Sequence, residues 1–491
     1  MQVPTQAAPG ARAQVIIVGS GFAGICMAVQ LRRMGLTFLV LERASEIGGT
    51  WRDNTYPGCS CDVPSHLYSF SFEPYSDWSR VYPTQPELLA YLKRCIDKYR
   101  LRDAILFDTE AREATFDETD KLWRVHTQNG EIFAANFIVL AMGALSRPAT
   151  PKIPGIDRFQ GKTFHSACWD HAYNLSGKNV AVVGTGASAI QFIPKIAPQV
   201  GRLAIFQRTP SWILPKFDFA LPKWLRLIFK FLPGSMRALR WLLYCYHETC
   251  GIGLWNPKLY KPLEWLTRRH ITQMFTDPRL REALSPNYTM GCKRILIAND
   301  YFETLLLENV ELVTTQIAEI GEHHILTQDR RQRQFDAIIF ATGFRATDLL
   351  SPLRLVGRNN VELAEAWCSG PTAFYGMTIA GFPNLFMLAG PNSLLAHNSI
   401  LFMIERQVHY VCESLRWVIE NGAPAIELRR EVQERFNQKL QERMVGTAWL
   451  SGCSSWYLDG RGENVSLWPR SSVSFWRQTR RFVPDDYRLC A

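Results

Sequence analysis

Short runs of consecutive hydrophobic residues alternate with segments of mixed polarity, and this pattern predicts buried strands joined by helices. One run, QVIIVG, ends at Gly19, and a second, TFLVLE, ends at Glu42. Between them, the segment from Phe22 to Met34 has helical character and stops at Gly35. Apolar runs without alternation are typical of parallel strands that are covered on both faces. This part of the chain therefore predicts a β-α-β unit.

The same order of elements occurs again in the middle of the chain. NVAVVG covers 179–184, a helix is predicted over 187–198, and RLAIFQR covers 202–208. A further buried strand, FDAIIFATGF, covers 335–344. Two β-α-β units with glycine-rich turns predict an α/β fold with two Rossmann-like, doubly wound domains that bind dinucleotides.

Residues 211–290 do not follow this pattern, because they are rich in Trp, Leu, Phe and basic residues and are interrupted by prolines. They predict a mostly helical insertion in the second dinucleotide-binding domain. The predicted division gives 1–148 and 335–491, with a C-terminal tail, to the first domain, 149–210 and 291–334 to the second, and 211–290 to the insertion.

Composition narrows the class of protein. The chain has 491 residues, of which 47% are hydrophobic and 20% charged, as in ordinary globular proteins. Its length predicts about three domains, with two or four as alternatives. No apolar run reaches the roughly 18 residues of a membrane-spanning helix, and the first residues do not resemble a secretory signal. The twelve cysteines lack a disulfide-like or zinc-like spacing. We therefore expect a cytoplasmic protein with reduced thiols and no metal site.

The first glycine-rich turn, GSGFAG, lies between a predicted strand and a predicted helix. Gly19 allows the tight turn, Gly21 lets the backbone approach a pyrophosphate, and Gly24 allows close contact between helix and strand. The backbone of Phe22 and Ala23 begins the helix, whose N-terminus attracts phosphate. Glu42 lies where an acid can accept hydrogen bonds from ribose hydroxyls. This turn favours FAD, and the alternative is a purely structural glycine turn.

The second turn, GTGASA, repeats the arrangement with Ala189 in the third position. It contributes Gly184, Thr185, Gly186, Ala187 and Ser188. At the end of the following strand the chain reads Gln207-Arg208-Thr209, without an acid. Arg208 and Thr209 suit a 2′-phosphate, which a carboxylate would repel, so this turn favours NADPH. The alternative for Arg208 is a solvated arginine at a strand end.

Three longer motifs resemble those of the type I Baeyer–Villiger monooxygenases. The segment FQGKTFHSACWD matches the fingerprint of that family through Phe159, Gly161, His165, Trp169 and Asp170. GGTWRDNTYPGCSCD is a second match and FATGF a third, and the resemblance covers nearly the whole chain. FATGF resembles the closing strand of flavin-binding folds, and for this reason residues 335–491 are predicted to belong to the first domain.

The resemblance implies that NADPH reduces bound FAD, that oxygen forms a flavin C4a-peroxide, and that this attacks a ketone to give an ester or lactone. Arg294 matches the active-site arginine of the family, and Asp62 matches an aspartate that would hold it. The alternatives are a surface arginine and a helix-capping aspartate. Lys293 matches a lysine that contacts the 2′-phosphate, and its alternative is a solvated lysine.

Further positions are implied to lie beside the flavin. Gly49, Thr50, Trp51, Tyr68 and Ile400 match such positions, although Trp51 also suits a plain core residue and the sequence around Ile400 diverges. His165 and Trp169 belong to a motif that is thought to couple domain movement to catalysis, so His165 is not assigned a catalytic role.

The net charge of +10 is compatible with nucleic acid, anionic lipid or phosphate-bearing cofactors. No nucleic-acid-binding signature is present, so nucleic acid is not expected as a partner. KWLRLIFKFL places Lys223, Arg226 and Lys230 on one helical face, and Arg237 and Arg240 follow. Residues 216–247 are open to three interpretations: a packed helix with a solvated basic stripe, a helix on an anionic membrane surface, or a lid over the substrate entrance.

The expected partners are thus an apolar ketone and oxygen, with FAD and NADPH as cofactors. Two other functions remain open. One is a heteroatom oxygenase of the flavin-containing monooxygenase type, which would make sulfoxides or N-oxides. The other is an NADPH-binding redox sensor that does not oxygenate.

Overall fold

The computed structural model describes residues 12–490. The strands are β1 Arg12–Val18, β2 Phe38–Leu41, β3 Ile105–Leu106, β4 Ala111–Asp117, β5 Leu122–Thr127, β6 Ile132–Leu140, β7 Lys162–His165, β8 Asn179–Val183, β9 Arg202–Phe206, β10 Ile213–Leu214, β11 Leu296–Ile297, β12 Val310–Val313, β13 Ile317–Ile320, β14 His324–Thr327, β15 Gln332–Gln334, β16 Ala337–Phe340, β17 Arg354–Val356, β18 Leu385–Met387, β19 Ile426–Leu428 and β20 Tyr487–Leu489. The α-helices are α1 Phe22–Met34, α2 Thr50–Asp53, α3 Gln85–Lys98, α4 Ala189–Ile196, α5 Lys223–Phe231, α6 Ser235–Cys250, α7 Ile252–Trp255, α8 Lys261–Met274, α9 Pro278–Leu284, α10 Tyr301–Thr304, α11 Leu363–Ala366, α12 Ile400–Glu420, α13 Arg430–Glu442 and α14 Ser472–Thr479.

The first large sheet has the strand order β17-β4-β5-β6-β1-β2-β3, and β18 also pairs with β6. β1 is parallel to both β2 and β6, whereas β4, β5 and β6 pair antiparallel. Val15, Ile16 and Ile17 of β1 are fully buried, as expected for a strand covered on both faces. The sheet is therefore mixed, with its parallel part around the first glycine-rich turn.

The second sheet is parallel throughout, with the order β12-β9-β8-β16-β7. β16 lies in this sheet, so the predicted return of the chain to the first domain at 335 is wrong. The run AIIF pairs with β8, which brings Ala341 next to the turn at Gly184. A fully buried apolar strand fits the centre of either sheet, and its sequence does not show which one. The chain rejoins the first sheet at β17, which pairs with β4.

Helices α5 to α9 lie between β9 and β12, which are neighbours in the second sheet. A short parallel pairing between β10 and β11 closes the start and the end of this excursion. The mostly helical character predicted for 211–290 is confirmed, as is the α/β fold class.

Cys292 and Cys453 form a disulfide, so the prediction that the cysteines are reduced is wrong for this pair. The two residues are 161 positions apart in the chain, and no local spacing can reveal such a pairing. The other ten cysteines are free thiols. The disulfide joins the segment that carries Lys293 and Arg294 to a C-terminal loop.

Buried side chains from both large sheets belong to one continuous hydrophobic cluster, together with side chains of α1, α3, α4 and α12. The two sheets are thus held against each other by shared apolar packing. In the described range 12–490, no helix has the length and apolar character needed to cross a membrane.

Candidate active site

A cavity of about 1290 Å³ lies where the carboxyl ends of strands from both large sheets meet. This is the edge at which doubly wound folds bind their ligands. The predicted site residues in its wall are Gly19, Gly21, Phe22, Ala23, Glu42, Gly49, Thr50, Trp51, Asp62, Tyr68, Gly184, Thr185, Gly186, Ala187, Ser188, Arg208, Thr209, Lys293, Arg294 and Ile400. Gly24 is the predicted residue that lies outside the wall.

The first glycine-rich turn depends on two close backbone approaches. Gly19 has a φ of +103°, and a Cβ on it would lie 2.7 Å from the carbonyl oxygen of Ala141. A Cβ on Gly24 would lie 1.9 Å from the carbonyl oxygen of Gly19, so α1 rests directly on the turn. No described side chain caps α1 at Gly21. The N–H groups at the start of the helix are therefore available to a phosphate.

Glu42 is held rigidly at the end of β2, where it is only 4% exposed. The backbone N–H and the hydroxyl of Ser20 donate to Oε2 of Glu42 at 2.9 and 2.6 Å. Arg52 donates from Nη1 to the other carboxylate oxygen at 2.9 Å. These contacts fix the position of the carboxylate beside the turn. Ser20 and Arg52 were not predicted, although both belong to motifs that the sequence shows.

The second turn is similar in backbone and different in side chains. Gly184 has a φ of +109°, and a Cβ on it would lie 2.5 Å from the carbonyl oxygen of Ala341. Arg208 follows β9 and forms no ion pair with any described residue. Burial lowers the pKa of Lys293, and the nearby charge of Arg208 lowers it further. Two cations that repel each other at the cavity wall are suited to an anion such as a 2′-phosphate.

Asp62 and Arg294 form an ion pair in the cavity wall. Nε and Nη2 of Arg294 donate to Oδ2 of Asp62 at 2.9 and 2.6 Å. The side chains are 31% and 28% exposed for Arg294 and Asp62 respectively. Burial disfavours the charged form of Asp62, but the charge and hydrogen bonds of Arg294 outweigh it and lower the pKa of the carboxyl. Asp62 in turn raises the pKa of Arg294, so both groups are ionised at any neutral pH.

The loop that carries Asp62 is fastened to the second sheet by Gln191 of α4. Oε1 of Gln191 accepts from the hydroxyl of Tyr56 at 3.2 Å and from the N–H of Ser60 at 3.1 Å. Nε2 of Gln191 donates to the carbonyl oxygen of Ser60 at 3.2 Å. The YPGC segment thus crosses from the first sheet to the second, and this places Asp62 against Arg294.

Aromatic residues close the wall on the side of the first turn. Nε1 of Trp51 donates to the hydroxyl of Tyr68 at 3.3 Å, and the two rings meet edge to face. Tyr68 also packs against Phe22, at a distance of 5.2 Å between ring centroids. Burial raises the pKa of Tyr68, so its hydroxyl is neutral. Ile400 joins the same wall from the start of α12.

The sequence of the chain is similar to those of known proteins along its whole length. Residues 16–220 match the family described as pyridine nucleotide-disulphide oxidoreductase. A Baeyer-Villiger monooxygenase of Pseudomonas aeruginosa is 44% identical over 100% of this chain and 94% of its own length. The chain belongs to the Baeyer–Villiger monooxygenases. Another member, from Streptomyces coelicolor, is 42% identical over 97% of this chain and 92% of its own length.

Solved structures of this family have the same fold. A steroid monooxygenase bound to NADP superposes with a TM-score of 0.86 at 32% identity, covering 96% of this chain and 97% of that one. Cyclohexanone monooxygenase from Rhodococcus sp. Phi1, bound to NADP⁺, gives a TM-score of 0.89 at 29% identity, covering 98% and 99%. OTEMO in complex with FAD and NADP gives 0.86 at 28% identity, covering 95% and 97%. FAD and NADPH are therefore the cofactors of this Baeyer–Villiger monooxygenase.

The family fingerprint around His165 lies outside the cavity wall of this monooxygenase. His165 is buried at the end of β7, and its Nδ1 accepts from the backbone N–H of Ala167 at 3.1 Å. Trp169 packs against Phe192 of α4, with ring centroids 5.1 Å apart. Asp170 pairs with Lys162 at 2.6 Å. These contacts make the motif a packed junction, and its coupling to domain movement stays a prediction.

Tyr457 was missed from the sequence, although it lines the same cavity as Arg294. Burial raises the pKa of Tyr457 to about 12, against the opposing charge of Arg294. Its buried hydroxyl has no hydrogen-bond partner among the described residues. The sequence feature that could have indicated it is the pair of adjacent aromatic residues Trp456 and Tyr457, of which Tyr457 lies four residues after Cys453. Because that segment lies far from Arg294 in the chain, only the fold brings the two together.

Proposed function

We propose that this Baeyer–Villiger monooxygenase converts an apolar ketone, oxygen, NADPH and a proton into an ester or lactone, NADP⁺ and water. The observation that carries the proposal is the Arg294–Asp62 pair in the wall of a cavity that both glycine-rich turns share. A permanent cation there can stabilise negative charge that develops on a ketone oxygen.

The residues around the first turn fit FAD. The open space beside Gly21, the uncapped start of α1 and the fixed carboxylate of Glu42 match a pyrophosphate and a ribose. Around the second turn, Arg208, Thr209 and Lys293 would hold the 2′-phosphate of NADPH. When bound, FAD accepts the hydride of NADPH and activates oxygen.

In this proposal Arg294 acts as the electrostatic catalyst and Asp62 as its positioning residue. Two hydrogen bonds from one guanidinium to one carboxylate oxygen leave Nη1 of Arg294 without a described acceptor. A guanidinium does not lose its proton at neutral pH, so it supplies charge without taking part in proton transfer. Asp62 orients this charge and keeps it inside the cavity.

The remaining wall favours an apolar substrate. Several leucines and aromatic side chains from the C-terminal part line the cavity, namely Leu394, Leu395, Leu401, Trp456, Tyr457 and Leu467. An apolar wall binds a hydrophobic ketone and excludes water, which strengthens the effect of Arg294. The expected cytoplasmic location stays a prediction.

Purified protein with NADPH and a panel of cyclic, open-chain and steroid ketones tests the proposal through oxygen consumption and product mass. We expect a mass gain of one oxygen atom and an ester or lactone for at least one ketone. A parallel panel of sulfides and amines distinguishes the heteroatom oxygenase. If oxygen is consumed with every ketone but yields only hydrogen peroxide, the proposal fails and a non-oxygenating function is favoured.

A further inference from the structure

An unusual concentration of exposed apolar side chains lies on residues 216–247. Ten of the 26 large hydrophobic side chains that are exposed in the described chain belong to this segment, with exposures from 39% to 72%. We call them the apolar patch: Phe217, Phe219, Trp224, Leu227, Ile228, Phe231, Leu232, Trp241, Leu242 and Tyr246. Single exposed leucines are common on protein surfaces, whereas clusters of this kind mark sites of interaction.

The apolar face of α5 is directed outward. Trp224, Leu227, Ile228 and Phe231 have the spacing i, i+3, i+4 and i+7, which places them on one side of the helix. All four are exposed, and the buried residue of α5 is Phe229. A helix of a globular protein normally turns such a face toward the core. The interpretation as a packed helix with a solvated basic stripe holds in part. Leu225 and Phe229 pack against the protein and the basic side chains Lys223 and Lys230 are exposed, whereas the four apolar side chains named above are not covered.

The segment also carries much of the charge of the protein. Residues 216–247 contain six basic residues and one acidic residue, which accounts for half of the net charge of +10. The acidic residue, Asp218, is paired with Arg80 at 3.1 Å. None of the six basic residues forms an ion pair within the described chain. Lys216 and Arg240 donate hydrogen bonds to neutral oxygens, and the side chains of the other four have no described hydrogen-bond acceptor, namely Lys223, Arg226, Lys230 and Arg237. A surface of exposed aromatic side chains among unpaired cations complements an anionic lipid bilayer.

Hydrogen bonds fix α6, which carries part of the apolar patch, to the rest of the protein. Nη1 of Arg240 donates to the carbonyl oxygens of His66 and Ser69, each at 2.9 Å. At the end of α6, Glu248 accepts from Asn398, a cavity-lining residue, at 2.9 Å. The inner face of α6 is thus attached to the body of the protein while Trp241 and Leu242 on its outer face remain exposed. The surface is present before any partner binds.

We propose that the apolar patch docks the protein peripherally on an anionic membrane surface. Trp224 and Phe231 would enter the interface between headgroups and acyl chains, while Lys223 and Lys230 contact the anionic headgroups. A second copy of the chain is a poorer occupant, because a two-fold interface would bring the same excess of positive charge together. Docking is a property of the outer surface and does not depend on the reaction in the cavity.

Flotation of the FAD-loaded protein with vesicles tests this inference. The probes are vesicles of phosphatidylcholine alone and vesicles of equal parts phosphatidylcholine and phosphatidylglycerol. We expect binding to the anionic vesicles, which weakens as salt is raised. The double variant Trp224→Ser, Phe231→Ser should reduce the partition by about ten-fold or more, because two large apolar side chains are lost. Lys223→Gln with Lys230→Gln should also weaken binding to the anionic vesicles.

Trp476→Ser is the matched control, because Trp476 is an exposed tryptophan, 38% exposed, outside the patch. It should bind vesicles like the unaltered protein. Bound FAD and NADPH oxidation without vesicles should be equal in all variants, which shows that they fold. The inference is overturned if the unaltered protein does not bind anionic vesicles, or if the double variant binds as well as Trp476→Ser. The inference is also overturned if the unaltered protein is an oligomer without vesicles and the double variant is a monomer. The patch would then bind a second copy of the chain.

Discussion

The two glycine-rich turns have nearly the same backbone and very different surroundings. At the first turn, Gly24 brings α1 into direct contact with Gly19, and Glu42 is buried and held by Ser20 and Arg52. At the second turn, Ala189 stands in the position of Gly24, and the cation Arg208 is exposed without a carboxylate partner.

We propose that this difference fits one backbone motif to two kinds of cofactor, FAD at the first turn and NADPH at the second. A tight turn with a fixed carboxylate is organised before its ligand binds, which suits a cofactor that stays bound during turnover. An exposed cation that repels its neighbour Lys293 gains stabilisation only when an anion arrives, which suits a cofactor that must enter and leave. Asp62 and Arg294 come from segments beside the first and the second turn respectively, and they pair where the two sites meet.

Exchanging the third residue between the turns tests the comparison most severely. Gly24→Ala should lose bound FAD and with it all oxygenation, because the new Cβ would lie 1.9 Å from a backbone oxygen. Overpacking of this kind costs about 1–3 kcal/mol, and backbone contacts lie at the upper end. Ala189→Gly, at the matching position, should retain FAD and lose about 1 kcal/mol or less. Acid-released FAD per protein and the urea midpoint measure both effects. Equal FAD content in the two variants would contradict the proposed difference.

Removing the cation between the two sites should give the next largest effect. Arg294→Ala should lower the rate of ester formation about a hundred-fold or more, the scale for loss of a preorganised donor of positive charge. Reduction of the flavin by NADPH should persist, so oxygen consumption continues and yields hydrogen peroxide. Stopped-flow absorbance and product analysis separate these two rates.

Asp62→Ala serves as the companion of this variant, because Asp62 positions the cation and does not supply it. Its loss should reduce ester formation in the same direction but by less. Lowering the pH should not imitate this variant near neutrality, because Arg294 holds the pKa of Asp62 below its usual value. Only acid strong enough to protonate Asp62 would remove the pair. A normal ester yield from Arg294→Ala would mean that another residue carries the charge.

The two glycine-rich turns in the cavity wall could be predicted from the sequence because each occurs in a local motif. Glycine spacing requires a tight turn, and the residue at the end of the next strand is expected beside the ligand, so Glu42 and Arg208 follow from counting along the chain. Asp62 and Arg294 could be found only through the family resemblance, since no local rule pairs residues 232 positions apart. Tyr457 and the Cys292–Cys453 disulfide were missed for the same reason.

Two features of the fold lay beyond the local pattern. The strand AIIF of β16 is equally apolar in any buried sheet, and its place beside β8 depends on long-range pairing. For α5, the spacing of Trp224, Leu227 and Phe231 shows that they share a face. Periodicity cannot show whether that face meets the core or the solvent, because this depends on which elements pack against the helix.

The smallest predicted effect concerns the preference for NADPH over NADH, which we assign to the second turn. Arg208→Ala should raise KM for NADPH about ten-fold or more, because a hydrogen bond to a charged group contributes about 1.5–3 kcal/mol. KM for NADH should hardly change, since NADH lacks the 2′-phosphate that Arg208 is proposed to contact.

Arg202→Ala is the matched control: Arg202 begins the same strand, pairs with Glu311 at 2.8 Å and lies outside the cavity wall. It should leave both KM values unchanged, and FAD content should be normal in both variants because the first turn is separate. Steady-state kinetics with each nicotinamide cofactor measure the ratio. Equal losses with NADPH and NADH would show that Arg208 supports the structure of the site and does not select the phosphate, and the proposed contrast between the two turns would then lose its second half.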